Sequence, residues 1–129
     1  MAAQRQYATA GAFRTALEVR LNERARRDGV DLHRLRRQVA FDRLLARMFD
    51  PSQPARDGWV LKGGYALEMR FHMARSTKDL DLTVKSARGH AGHSTALRER
   101  LQLAASIELP DFFTFVVGEA MKPQRCFED

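Results

Sequence analysis

Two aspartates separated by one leucine are the strongest candidates for chemistry in this chain of 129 residues. Asp79 and Asp81 begin a segment that alternates with Leu80 and Leu82, the pattern of a half-buried β-strand. The two-residue period of a strand would place both carboxylates on one face. Carboxylate oxygens suit Mg²⁺ that is also bound to substrate phosphates. The pair therefore predicts metal-assisted chemistry at phosphorus.

A glycine pair lies between an expected strand and an expected helix. Gly63-Gly64 follows the apolar segment from Trp59 to Lys62 and precedes a helical pattern from Tyr65 to about Met73. Because glycine has no Cβ, backbone N–H groups in this turn can approach an anion, and the helix N-terminus adds a favourable dipole. The lysine precedes the glycines, so the motif is not a P-loop. The turn therefore predicts a triphosphate-binding site of a kind other than a P-loop.

Each of these features also has a purely structural explanation. A glycine pair after a strand is usually a turn, Asp-x-Asp is often a solvated face, and a lysine at a strand end is often an exposed charge. Their order in one chain favours chemistry, because the strand, glycine pair and helix are followed by Lys78 and then by Asp79-Leu80-Asp81. The combination is more specific than its parts.

The rest of the sequence predicts the elements that position these residues. The order of elements indicates an α/β or α+β domain with a small mixed sheet flanked by helices. We expect a single domain over residues 1–129, with N-terminal helices in 1–50 and a catalytic core in 58–129, which the family resemblance described below implies is incomplete. Besides the strand and helix around the glycines, the expected elements are helices over Tyr7–Arg27, Asp31–Phe49 and Ser94–Ile107, and strands over Asp79–Val84 and Phe112–Val117.

Apolar spacing predicts which side chains face the core. The expected inward residues are Phe13, Leu17, Leu21 and Ala25 in the first helix, Leu32, Leu35, Val39, Leu45 and Met48 or Phe49 in the second, Leu67 and Phe71 in the third, and Leu97, Leu101 and Ala104 in the fourth. The second helix also carries an arginine row on its expected exposed side, formed by Arg34, Arg36, Arg37, Arg43 and Arg47. This row could follow an RNA backbone or be a solvated helix face.

Composition indicates a globular protein, with 44% hydrophobic and 29% charged residues. No apolar run approaches the ~20 residues of a membrane span, and the N-terminus lacks a secretory pattern, so we expect a cytoplasmic protein. The single cysteine, Cys126, fits a reducing compartment. A net charge of +6, mostly from arginine, favours a nucleotide or nucleic-acid partner, although a GC-rich genome would also enrich arginine.

These motifs together resemble the AbiEii/AbiGii-type nucleotidyltransferase toxins of the polymerase-β-like superfamily. The resemblance is carried by Trp59-Val60-Leu61-Lys62-Gly63-Gly64-Tyr65-Ala66-Leu67, by Arg70, and by Arg75-Ser76-Thr77-Lys78-Asp79-Leu80-Asp81-Leu82. It implies that Gly63 and Gly64 cradle the triphosphate and that Asp79 and Asp81 bind catalytic Mg²⁺. It also implies that Lys62, Arg75 and Thr77 lie close to the phosphates.

The resemblance implies an enzyme that transfers a nucleotide from a nucleoside triphosphate to an acceptor. In some members the acceptor is the 3′ end of tRNA. Such toxins are encoded beside a cognate antitoxin and act in abortive phage infection. The expected partners are therefore a nucleoside triphosphate, an RNA acceptor and an antitoxin.

The sequence departs from the family pattern near its C-terminus. Family members are usually longer, and their third acidic residue lies on a strand that would follow the one expected at Phe112. We therefore expect a truncated member, in which Glu128 and Asp129 are the candidates left for a third carboxylate. The alternative is a catalytically inactive protein that binds nucleotide, RNA or an antitoxin.

Overall fold

The structure is a computed structural model that describes residues 7–52, 58–71, 78–84 and 94–119. Within these ranges it contains four helices and a two-stranded sheet, which confirms the α+β class. In none of these ranges is a helix long and apolar enough to cross a membrane. The elements are α1 (Ala10–Asp28), α2 (Leu32–Met48), β1 (Trp59–Lys62), α3 (Gly63–Phe71), β2 (Asp81–Val84) and α4 (Ser94–Ala105).

The first two helices begin and end close to their predicted positions. Thr9 caps α1, and Asp31, the first residue of the predicted second helix, caps α2, each accepting a hydrogen bond from a backbone N–H in the first turn. Gly29 ends α1 in the left-handed conformation, with φ +66°. The two helices pack together, and each buries a leucine of its predicted stripe, Leu21 in α1 and Leu35 in α2. Local sequence signals therefore specify this hairpin of helices.

The two strands of the described residues pair antiparallel. Trp59 lies opposite Val84, and Lys62 lies opposite Asp81. Directly paired residues share a face, so the register separates the core side of the sheet from its solvent side. Trp59, Val84 and Leu82 pack in an apolar cluster with side chains of α2 and α4. Lys62 and Asp81 are exposed. The sheet thus uses its apolar face as an anchor and presents the charged pair outward.

Helix α3 differs from its prediction in its start and in its buried face. It begins at Gly63 rather than at Tyr65, and Leu67, expected inward, is 48% exposed. The buried residues are Tyr65 and Glu68, which face polar groups of α2. A polar docking face is invisible to a search for apolar spacing, which explains the error. The side chain of Phe71 lies outside the described part of the chain.

Helix α4 also buries fewer leucines than predicted. Leu97, expected inward, is exposed, whereas Ala104 and Ala105 near the end of the helix are buried. Leu101 is half-buried and packs on the core cluster, in agreement with the prediction. Small residues at the contact allow this end of α4 to approach α2 closely.

The strand predicted over Phe112–Val117 is not formed, although this segment is ordered against the helices. Gln102 of α4 donates to the Phe115 carbonyl (3.0 Å) and accepts from the Val117 N–H (2.7 Å). Arg98 of α4 donates to the Val117 carbonyl at 3.2 Å. Helix side chains therefore occupy the backbone hydrogen-bonding positions that a neighbouring strand would occupy, which explains how an aromatic, β-branched sequence lies here without pairing.

Arg47 was predicted to be exposed, but it is 1% exposed. Its two terminal nitrogens bind both oxygens of Asp111, at 2.6 Å and 2.9 Å, and one of them also donates to the Phe113 carbonyl. Burial acts to raise the pKa of the Asp111 carboxyl, but hydrogen bonds from Arg47 and the Phe113 N–H, with the arginine charges, outweigh it and lower that pKa. The fork geometry fixes the segment after α4 onto α2.

Other members of the arginine row bind carboxylates of the same chain. Arg36 is exposed as predicted and binds Glu18 of α1. Arg34 likewise pairs with Glu68 of α3, and Arg43 pairs with Asp111. The row therefore holds α1, α3 and the segment after α4 around one central helix.

Candidate functional site

The glycine turn contacts the second strand directly. Gly63 joins β1 to α3 with φ +78°, a conformation that residues with a Cβ rarely adopt. A Cβ at this position would lie 3.0 Å from the Cβ of Asp81 and 3.1 Å from its Oδ2. The fold therefore brings together the two predicted site elements, the phosphate-binding turn and a metal-binding carboxylate. Only glycine leaves the space beside that carboxylate open.

Lys62 lies on the same face of the sheet as Asp81. Its Nζ is 4.0 Å from Asp81 Oδ1, and both side chains are more than half exposed. An exposed pair at this separation contributes about 0–1 kcal/mol, because water screens the charges. The pair can therefore separate at little cost, which leaves the ammonium available to a phosphate and the carboxylate available to a cation. Gly64, also exposed, lies in the first turn of α3 beside them.

The other predicted site residues lie before the second strand. Asp79 was predicted inside that strand on the face of Asp81, but β2 begins at Asp81 and Asp79 lies at an exposed bend. The prediction that Asp79 lies on the same strand face as Asp81 was therefore wrong. Arg75 and Thr77 lie outside the described residues. In the described ranges, no group of three or more histidine, cysteine, aspartate or glutamate side chains is arranged to hold a metal ion.

Sequence analysis missed the polar residues that hold α3 against α2. The Tyr65 hydroxyl donates to the Asp42 carboxylate at 2.6 Å, and the Gln38 amide donates to Glu68 at 2.8 Å. Burial raises the pKa of Tyr65, and the hydrogen bond to Asp42 with the charges of Asp42 and Glu68 raises it further. The available signal was complementary polar spacing, three residues apart on α3 and four apart on α2. It requires knowing that these two helices touch.

A family described as Nucleotidyl transferase AbiEii toxin, Type IV TA system, matches residues 43–125 of the chain. The chain belongs to the AbiEii toxin family. The matched range runs from late α2 through both strands to beyond α4, and it includes the turn and both aspartates of the candidate site. No match was found among curated proteins or solved structures. The predicted family is thus confirmed.

The candidate site of this AbiEii-family chain has the donor chemistry that Mg²⁺ requires. Asp79 and Asp81 supply carboxylate oxygens, the hard ligands this ion prefers, and both are exposed. Mg²⁺ usually keeps several waters and is held by one or two carboxylates together with substrate phosphates. The absent side chain at Gly63 leaves open the space next to Asp81 Oδ2, which a Cβ would fill. The residues present therefore fit a magnesium ion shared with a triphosphate.

Proposed function

We propose that this AbiEii-family chain transfers a nucleotide from a nucleoside triphosphate to an acceptor. The observation that carries the proposal is the contact between Gly63 and Asp81 within the range that matches the family. It sets a turn suited to phosphate beside a carboxylate suited to a metal. Nucleotidyl transfer depends mainly on positioning the phosphates and stabilising their charge, and these two elements supply both.

Each site residue has a distinct role in this proposal. The backbone N–H groups of the Gly63-Gly64 turn hold the triphosphate, and the Lys62 ammonium compensates its charge. By the family resemblance, Arg75 and Thr77 would add further phosphate contacts. Asp79 and Asp81 would hold Mg²⁺. When bound, Mg²⁺ would neutralise the negative charge on the phosphates while that charge redistributes during transfer. The residues thus orient the triphosphate for attack along one direction.

The proposed reaction is a substitution at the α-phosphorus. A hydroxyl oxygen of the acceptor forms a new bond to that phosphorus, and the bond from phosphorus to the bridging oxygen of pyrophosphate breaks. Pyrophosphate leaves with the bonding electron pair, and the hydroxyl proton passes to solvent. The chain's contribution is to fix the α-phosphorus and to stabilise the departing charge near Lys62.

We propose RNA, with the 3′ end of tRNA as the first candidate, as the acceptor. The net charge of +6 and the description of the family as a toxin of a type IV toxin–antitoxin system support this proposal. A toxin of this kind has a cognate antitoxin as its second partner.

The test follows two labels through the reaction. The full-length protein is incubated with Mg²⁺, tRNA and each nucleoside triphosphate, labelled either at the α- or at the γ-phosphorus. Nucleotidyl transfer labels the tRNA from the α-position only, whereas phosphoryl transfer labels it from the γ-position. Asp79→Asn with Asp81→Asn should abolish labelling, because both carboxylates proposed to hold the metal are removed.

Asp28→Asn is the matched control, because it removes an exposed, arginine-paired carboxylate at the end of α1. Its labelling should equal that of the unmodified protein. Labelling that persists unchanged in the Asp79/Asp81 double variant would rule out the assigned roles. Nucleotide binding by calorimetry without transfer to any acceptor would instead support the alternative, a binding protein without catalytic activity.

A further inference from the structure

A buried tyrosine joins the phosphate-binding turn to helix α2. Tyr65 follows Gly64 directly and is 3% exposed. Its hydroxyl donates to Asp42 Oδ1 at 2.6 Å and lies 3.4 Å from the Gln38 carbonyl, while its ring packs edge-on against Phe41 with centroids 5.0 Å apart. The hydroxyl is therefore held in one place by contacts with a helix that contributes no site residue.

A second contact lies one turn further along α3. Glu68 is 5% exposed and accepts a hydrogen bond from the Gln38 side chain, with Arg34 3.7 Å away. Tyr65 and Glu68 share one face of α3, and their partners recur every four residues along α2. The later residue on α3, Glu68, contacts the earlier residue on α2, Gln38, so the two helices run in opposite directions at this contact. They therefore fix both the rotation of α3 and its height along α2.

Because the face of α3 that contacts α2 is polar, it fixes the position of α3 more closely than an apolar face would. Apolar contacts tolerate small sliding movements, whereas a short hydrogen bond to a carboxylate weakens steeply when its distance or angle changes. The raised pKa of Tyr65 keeps its hydroxyl protonated, and thus a donor, throughout the neutral range. Helix α3 begins at Gly63, where a Cβ would lie only 3.0 Å from the Cβ of Asp81. A shift of α3 would therefore move the turn relative to that carboxylate.

We infer that Tyr65 and Asp42 are positioning residues, whose hydrogen bond sets the Gly63-Gly64 turn against Asp81 and so determines how tightly the triphosphate is held. This inference rests on the proposed function, because it assigns the pair a role in binding the triphosphate at that turn. The contact between Glu68 and Gln38 is the second anchor of the same helix. Small misplacements of groups that position a substrate are known to cost large factors in binding and rate.

The experiment measures nucleotide affinity in three variants of this pair. Each of Mg-ATP, Mg-GTP, Mg-CTP and Mg-UTP is titrated by calorimetry, and the tightest binder of the unmodified protein is used throughout. Tyr65→Phe and Asp42→Ala should each raise Kd roughly tenfold, the scale of one hydrogen bond to a charged group. The double variant should be no worse than either, and Asp42→Asn, which keeps an acceptor oxygen, should recover most of the affinity. KM in the transfer assay should follow Kd.

Arg36→Gln provides the matched control on the same helix. It removes the hydrogen-bonded pair between Arg36 and Glu18, which joins α2 to α1 without touching α3. Its melting temperature should fall while Kd stays within about twofold, since a loss of stability alone does not move the turn. If Arg36→Gln raises Kd as much as Tyr65→Phe does, general loosening explains the effect and the inference fails.

A measurement without nucleotide separates this inference from the proposed function. Amide hydrogen exchange around Gly64 should become faster in Tyr65→Phe and Asp42→Ala but not in Arg36→Gln. Unmodified protein that binds none of the four nucleotides would overturn the proposed function, and the nucleotide role of this pair with it. Normal binding by the unmodified protein, with unchanged Kd and exchange in both variants, would overturn the inference alone. If Tyr65→Phe fails to fold, the Asp42→Ala and Asp42→Asn pair gives the same readouts, because Asp42 is exposed.

Discussion

Substitution of Gly63 by alanine tests the packing at the centre of the candidate site. The left-handed conformation at φ +78° costs a residue with a Cβ about 1–2 kcal/mol. The new Cβ would also meet Asp81 Cβ at 3.0 Å, and that atom is bonded to the backbone of β2, so it cannot rotate away. Such overpacking costs about 1–3 kcal/mol. We therefore expect the free energy of unfolding to fall by about 2–5 kcal/mol, a large part of the stability of a small domain.

Gly29→Ala is the matched control, because it isolates the backbone contribution. Gly29 has φ +66°, but a Cβ there would meet nothing within 4 Å. The same glycine-to-alanine change in the unfolded chain affects both variants equally, so it cancels in the difference. Gly29→Ala should therefore lose about 1–2 kcal/mol at most, and the remaining loss in Gly63→Ala measures the contact with Asp81.

The assay is urea unfolding followed by fluorescence of the single tryptophan, Trp59, which is buried on β1 next to the turn. A double-mutant cycle adds Asp81→Gly, which removes the opposing Cβ. In that background Gly63→Ala should lose no more than Gly29→Ala does. Equal losses for Gly63→Ala and Gly29→Ala in the unmodified background would refute the close packing of the turn on β2.

Two further predictions concern the ion pair that joins α2 to the segment after α4. Arg47→Met should lower the free energy of unfolding by about 3–5 kcal/mol, because it leaves the Asp111 carboxylate partly buried without its bidentate partner. Adding Asp111→Asn to the Arg47→Met variant should restore part of this loss, measured by urea unfolding. The lowered pKa of Asp111 also predicts a pH dependence: its contribution to stability is fully present above the unfolded carboxyl pKa of about 4 and is lost as pH falls through the lower folded value. As pH is lowered from 5, the free energy of unfolding should therefore fall more steeply in the unmodified protein than in Asp111→Asn. Parallel curves for the two proteins would contradict a lowered pKa of Asp111.

The parts of the fold that could be predicted from sequence are those set by neighbouring residues. The cap at Asp31 and the left-handed stop at Gly29 act within one helical turn, so their residue types suffice to place them. The glycine pair and the alternating pattern after Asp81 are equally local. Their order along the chain also led us to predict that the turn and the carboxylate belong to one site, and in the structure Gly63 lies against Asp81.

The parts that sequence analysis got wrong depend on partners far along the chain. Arg47 looks like a solvent-facing arginine until Asp111 is placed beside it. The segment from Phe112 has the composition of a strand, but side chains of α4 satisfy its backbone groups first. Tyr65 and Glu68 are buried by polar groups of α2, so apolar periodicity selects Leu67 instead. In each case a tertiary hydrogen bond outweighs the local pattern.

The Arg47–Asp111 pair also has a consequence for the order in which the chain folds. The two residues are 64 positions apart, and the interval between them contains both strands, α3 and α4. Closing a flexible loop of that length costs about 4 kcal/mol of chain entropy, so the pair cannot form early on its own. The α1–α2 hairpin needs only near neighbours and can form first. During synthesis, Asp111 leaves the ribosome after every glycine and aspartate of the candidate site. We therefore expect that site to become stable only after Asp111 has bound to Arg47 on α2, which is already folded.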